Sequence, residues 1–244
     1  MTTLVIATRN DHKVGEIQAI LGRRYHYLTL RDFPSAPAVV EDAGSFAGNA
    51  TKKAVELAEW LCAFQHIPKS RVGDDDYVFV LADDSGLEVD ALQGAPGVHS
   101  ARFASLDADA SAMYARGAGN SPDAANNAKL LRLLRDVPEG KRAARFRCVL
   151  ALTPVVDELL AGGESPVCQA RELELVTEIF DGTCEGRIAL RPVGSGGFGY
   201  DPLFLPNGFE VSFGELSAAS KNEISHRSRA LEKLRIKMDL ARRH

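Results

Sequence analysis

The chain has 244 residues, 45% hydrophobic and 25% charged, with 29 Lys and Arg against 33 Asp and Glu and a formal net charge of −4. That suits a globular protein with a full core, and the slight acidity excludes an overall basic field aimed at a nucleic-acid polymer. No apolar run approaches the roughly 20 residues of a membrane helix, and MTTLVIATRN is too short in its apolar part, and too uncharged at its start, for a secretory signal.

In chain order, Leu4-Val5-Ile6-Ala7 reads as a short buried strand. Val14, Ile17 and Leu21 recur at helical spacing, with Gly22 as a C-cap. Ala54, Leu57, Ala58 and Leu61 mark a second helix, 69–76 a polar loop, and 77–82 the next strand. The Ala-, Ser-, Gly- and Asp-rich segment 107–123 carries no clear period, and Leu130, Leu131 and Leu134 mark a further helix. Residues 142–152 alternate as a half-exposed strand, and Leu173, Leu175 and Ile179 as a second, joined by a Pro/Gly-rich antiparallel connection over 154–166. Ile224, Leu231, Leu234, Met238 and Ala241 predict a C-terminal helix with Arg242 and Arg243 in its last turn. The four cysteines, Cys62, Cys148, Cys168 and Cys184, form no Cys-x-x-Cys pair, which argues against zinc or a disulfide framework and for a reducing cytoplasm. No repeat and no long linker divide the chain. The expectation is a single α/β domain with a mixed β-sheet and flanking helices, in two lobes around a central cleft.

Five stretches carry side chains suited to chemistry. ATRNDHKVGEI, from Ala7, turns from a strand into a helix near Lys13. The free N–H groups of that helix start, with Thr8, Asn10 and Lys13, would cradle a phosphate, although Walker glycines are missing and an ordinary capped helix explains the same residues. In EDAGSFAGNATKKA, Glu41 and Asp42 precede a turn and Asn49 is a candidate helix cap. Lys52 and Lys53, about 100° apart round the helix, should meet different surroundings, though a solvated face is the simpler reading of either alone.

LADDSGLEVDALQGAPG, from Leu81, puts adjacent carboxylates where the expected strand stops. Asp, Ser and Gly form a turn there. If the strand instead continues, Asp83 and Asp84 point to opposite faces, and one of them can hold Mg²⁺ or take a proton from water. Mg²⁺ needs only one or two protein carboxylates, and Glu41 with Asp84 would serve. GSGGFGYDPLF contains GxGxxG at Gly194, Gly196 and Gly199 without a following helix, which removes the dinucleotide-binding reading. Either its glycines admit a ligand while Phe198 and Tyr200 stack on a base, or it is a glycine-rich turn round a core aromatic. ELSAASKNEISHRSRAL sets Lys221, His226 and Arg227 near a helix start that Ser225 could cap. These are donors for phosphate or carbonyl oxygens, or else an exposed basic helix end.

TRNDHKVGEI, FAGNATKKA, ADDSGLEVDALQGAPGVHSARFA, GGFGYDPLF and KNEISHRSRAL follow one another in the order found in the inosine triphosphate pyrophosphatase family. The chain resembles that family from about Leu4 to about Leu234. The resemblance implies an elongated α/β fold, usually a homodimer. The reaction it implies is Mg²⁺-dependent hydrolysis of ITP, dITP or XTP to the monophosphate and pyrophosphate, which cleanses the nucleotide pool. It implies Asp84 as proton acceptor and metal ligand and Glu41 as the other metal-associated acid. Thr8, Arg9, Asn10, Asp11, His12, Lys13 and Lys53 match triphosphate-binding positions, and Ser85 a substrate contact. Phe198, Gly199, Tyr200, Asp201, Lys221, His226 and Arg227 match base-recognition positions. In two respects the chain departs from the pattern. Gly48 stands where Glu commonly precedes Asn, and segments 69–76 and 107–123 are longer than usual.

Overall fold

Strand β1, Thr3–Ile6, is buried at every position, as expected of a strand covered on both faces. It pairs in parallel with β2, His26–Thr29, and with β3, Val78–Val89, with Thr3 opposite both His26 and Val78. Parallel neighbours need a crossover. Helix α1, Asp11–Leu21, supplies the first and α2, Phe46–Phe64, the second. The buried stripe of α1 is Ile17 and Leu21, and Gly22 ends it with φ +71. That of α2 is Ala50, Ala54, Leu57, Ala58 and Leu61.

A computed structural model of the chain describes residues 2–64, 77–107, 120–155 and 172–241. Its six-stranded sheet has the order β2-β1-β3-β4-β5-β6, with β4 at Ala143–Pro154, β5 at Glu178–Ile188 and β6 at Phe204–Pro206. β5 and β6 are antiparallel, so the sheet is mixed, and the fold is α/β as expected. Among the described residues, further helices include α3, Asp123–Leu133, α4, Ala218–Ile224, and α5, His226–Ala241.

Two compact units divide the chain. The first comprises Met1–Asp84, Cys148–Gly182 and Arg227–His244, the second Ser85–Arg147 and Thr183–His226. The first has a core that includes Leu4, Ile6, Ile17, Leu81, Leu150, Leu231 and Leu234. The second has its own, which includes Leu87, Val89, Leu130, Phe146, Leu203, Phe204 and Phe213.

Several expectations need correction. β3 does not stop at Ala82 but continues through Asp83-Asp84-Ser85-Gly86 to Val89, so no turn forms at the acid pair. β4 is half-exposed only at its start, and from Cys148 to Thr153 it is buried throughout. Residues 172–176 are helical, and the strand expected there begins at Glu178. Ile224 belongs to α4, which breaks at Ser225 before α5 begins, and Asn49 lies inside α2 rather than at its cap. The expected loop 69–76, most of 107–123, the connection 154–166 and Arg242 and Arg243 fall wholly or largely outside the described residues. Cys62, Cys148 and Cys184 are buried, and no described helix is long and apolar enough to cross a membrane.

Candidate active site

Continuing β3 through two aspartates sends their carboxylates to opposite faces. Asp83 goes to the side where α1 and α5 lie in the first unit. It pairs there with Lys13, accepts from Arg227 Nε at 2.9 Å, and accepts the Cys148 thiol at 3.1 Å. Arg227, with a side chain only 1% exposed, also pairs with Glu16 of α1. Burial alone would raise the pKa of Asp83, but Arg227 and Lys13 outweigh it and hold the carboxyl well below its ordinary range. Burial, with Asp83 beside it, drives the Cys148 thiol well up, so it remains a neutral donor.

Asp84 turns the other way, toward α2. Its Oδ2 accepts from Asn49 Nδ2 at 3.1 Å, and its Oδ1 lies 3.4 Å from Lys53 Nζ. The same ammonium donates to the Asp83 carbonyl at 2.8 Å and lies 3.3 Å from Glu41 Oε1. Glu41 and Asp84, far apart in sequence, thus meet on one lysine. Asn49 ties this arrangement to the chain before α2, because its Oδ1 accepts from the Ala43 amide at 2.9 Å. Burial raises the pKa of Asp84, Lys53 and Lys13 oppose it, Glu41 adds to it, and the net shift is upward. Lys52, one step round α2, faces outward to Asp42 at 2.7 Å, so the two lysines divide as their spacing predicts. Two carboxylates close to one cation form the kind of donor set that Mg²⁺ takes, with water and phosphate oxygens completing its sphere. No group of three or more His, Cys, Asp or Glu that could hold a metal occurs among the described residues.

The Thr8–Lys13 stretch is a capped helix start. Asn10 Oδ1 accepts from the amides of His12 at 3.0 Å and Lys13 at 3.4 Å, and Thr8 Oγ1 accepts from the Asn10 amide at 3.2 Å. Asp11 pairs with Arg31, and Arg9 reaches the Ala36 carbonyl at 3.4 Å. Thr8, Arg9, Asp11 and Arg31 help to line a cavity of about 300 Å³. Gly48 also sits near a helix start, where its amide donates to Ser45 Oγ at 3.1 Å. A Cβ at Gly48 would come within 2.8 Å of the Ala43 Cβ.

In the second unit the glycine-rich loop closes on its own chain. A Cβ at Gly194 would meet the Gly214 backbone at 2.3 Å, and one at Gly197 the Asp201 carboxylate at 2.1 Å. A side chain is thus shut out at Gly194 by the neighbouring backbone and at Gly197 by the Asp201 carboxylate. Asp201 Oδ2 accepts from the Phe198 amide at 2.9 Å and from Lys221 Nζ at 2.6 Å, and that ammonium sits 4.8 Å from the Phe198 ring centroid. Tyr200 corrects the expectation of two stacking aromatics. Its ring is 4% exposed and its hydroxyl donates to the Ser100 carbonyl, which leaves half-buried Phe198 as the flat surface of this loop. Lys221, His226 and Arg227 are all buried, so they do not form an exposed basic helix end. His226 stacks on Phe146 with centroids 4.8 Å apart, and Ser85 is half-buried on β3. The sequence marks Asn49 only as a helix cap and not as the partner of Asp84, and it does not single out Asp123 and Asn127, which bind Gly199 from α3. Spacing of four on a helix was the visible signal for the last two, but nothing named their target.

A model described as the Ham1 family matches residues 4–237. A dITP/XTP pyrophosphatase of Desulforamulus reducens is 41% identical over 231 residues, covering 94% of this chain and 92% of that protein. One from Geobacter sulfurreducens is 41% identical over 236 residues, covering 96% of each. A solved Ham1 protein from Coxiella burnetii superposes with a TM-score of 0.71 at 32% identity, covering 98% of this chain and 99% of that one. A nucleoside-triphosphatase / dITP/XTP pyrophosphatase from Mycobacterium abscessus gives 0.60 at 33% identity over 95% and 98%. With a family model covering nearly its whole length and relatives this close end to end, the chain belongs to the Ham1 family.

Proposed function

We propose that this protein hydrolyses noncanonical purine nucleoside triphosphates (ITP, dITP and XTP) to the monophosphate and pyrophosphate, using Mg²⁺. The observation that carries this reading is the meeting of Glu41 and Asp84 on Lys53, in a chain whose relatives bear the name dITP/XTP pyrophosphatase. Splitting an α–β phosphoanhydride needs charge neutralisation and an aimed water more than covalent chemistry. Glu41 and Asp84 would hold Mg²⁺, which supplies positive charge to the phosphate oxygens. Asp84 orients the attacking water and accepts its proton, a role that its raised pKa suits. Lys53 and Lys13, with the helix start at Thr8–Asn10, offset phosphate charge, and Arg9, Asp11 and His12 border that segment.

In the second unit Phe198 offers a ring to the purine. Buried donors there, Lys221 and His226 with the backbone near Asp201, favour a 6-keto oxygen over an amino group. Ser85 contacts substrate, and Arg227 acts through Asp83. The setting is the cytoplasm, consistent with buried thiols, and the assembly a homodimer, which sedimentation at assay concentration checks against a 26.4-kDa monomer.

The test is a product assay with Mg²⁺ across ITP, XTP, GTP and ATP that reports pyrophosphate and orthophosphate separately. Pyrophosphate from ITP and XTP well above GTP and ATP is expected. Orthophosphate as the main product, or equal turnover of all four, contradicts the reading.

A further inference from the structure

Asp123 and Asn127 stand one turn apart on α3 and both reach the backbone of Gly199, one at its amide and the other at its carbonyl. Asp123 Oδ2 accepts the Gly199 amide at 2.6 Å, and Asn127 Nδ2 donates to the Gly199 carbonyl at 3.0 Å. Side chains four apart share a helix face, so one rigid element holds both ends of a single residue. Gly199 has φ +63, and a Cβ there would meet nothing within 4 Å. Its backbone angle, rather than crowding, is what requires glycine at that position.

The clamp has a firm base. Asn126, buried on α3, accepts the Ala104 amide at 2.8 Å through Oδ1 and donates to the Ala101 carbonyl at 3.3 Å. Lys129 Nζ donates to the Phe103 carbonyl at 2.7 Å. These bonds fix α3 to the 3₁₀ segment Gly97–Asp107 within the same unit. On the other side of Gly199, the Phe198 amide is held by Asp201, which also carries Lys221 beneath the Phe198 ring. Phe198 is therefore fixed by its own amide and by the clamped peptide that follows it. A ring that stacks on a base selects by its plane and distance, and a displacement of about 1 Å is enough to cost binding and rate.

We propose that Asp123 and Asn127 are positioning residues for base recognition. By fixing Gly199 they aim the Phe198 ring, and so set the affinity for the purine but not for the triphosphate. This rests on the function proposed above. Neither side chain touches substrate, and both act through the backbone of one glycine.

The experiment compares wild type with Asp123→Ala, Asp123→Asn and Asn127→Ala, measuring kcat and KM for ITP and GTP and the Ki of inorganic tripolyphosphate, which has no base. Asp123 is exposed at the start of α3, so its variants keep the core. Asp123→Ala, which loses a charge-assisted hydrogen bond, is expected to raise KM for ITP by about ten-fold, and Asn127→Ala, which loses a neutral one, by about five-fold. In each, kcat should fall less than KM rises, the preference for ITP over GTP should narrow, and the tripolyphosphate Ki should stay at the wild-type value. Asp123→Asn should recover most of the loss, because its amide oxygen still accepts the Gly199 N–H. Unchanged KM for ITP in both Ala variants, or a parallel rise in tripolyphosphate Ki, overturns the proposal while leaving the function intact. Wild type that releases no pyrophosphate from any purine triphosphate overturns both.

Discussion

Burial raises the pKa of Asp84, and Glu41 adds to the effect, while Lys53, Lys13 and Asn49 pull against it. The net shift is upward, so the folded state binds this proton more tightly than the unfolded chain does. Stability contributed by the protonated form is therefore present below the unfolded value of 3.8 and is lost as pH rises through the higher folded value. At neutral pH the charged carboxylate is a net cost to folding, one that a cation held beside it would offset. Asp84→Asn removes that cost. In chelator at pH 7 the variant should melt above wild type, with the gap closing as pH falls through the raised value toward 3.8. Thermal scans across pH check this, and an equal or lower melting temperature at pH 7 contradicts it. Asp84 was legible in sequence as one of two acids. Strand alternation sets the two on opposite faces once the strand continues, but which of them meets Glu41 and Lys53 is decided by tertiary contacts.

At the scale of elements, a single buried side chain ties three together in the first unit. Arg227, in the first turn of α5, binds Asp83 of β3 and Glu16 of α1. Removing one partner of such a buried pair leaves an uncompensated charge and costs about 3–5 kcal/mol. Arg227→Ala should therefore lower unfolding free energy by about that much. Urea denaturation without nucleotide is the check, and a loss under about 1 kcal/mol would leave the guanidinium no structural role beyond an ordinary hydrogen bond. The same network explains why β3 was misread. Asp-Asp-Ser-Gly has turn propensity, but Asp83 is neutralised by Lys13 and Arg227, so tertiary pairing overrides the local preference. Elements with one clean apolar stripe, such as α1 on Ile17 and Leu21, were readable because the helical period alone defines them. The region of Leu173 and Leu175 was not. Two residues of alternation fit a helical turn equally well, and there Leu173 is buried while Leu175 is 86% exposed.

For the whole molecule, each unit has its own core and its own share of the chemistry. Acids and lysines gather in the first unit, and an aromatic loop with its donors in the second. The contacts that build both are long in sequence: Asn49 to Asp84 spans 35 positions, Arg227 to Asp83 spans 144, and Asn127 to Gly199 spans 72. Local patterns cannot show such pairings. What the sequence did display was the set of motifs in their order, which is why family and chemistry were legible while the positioning residues were not. Asp84 is the centre of the proposed function, which gives it the role of proton acceptor and of one of two acids that would hold Mg²⁺. The most direct measurement is turnover and nucleotide binding by Asp84→Asn, with ITP and Mg²⁺, beside wild type. The account predicts ITP binding still detectable and kcat lower by about 10²–10⁴-fold, the usual contribution of a positioned base. A kcat like that of wild type would contradict it.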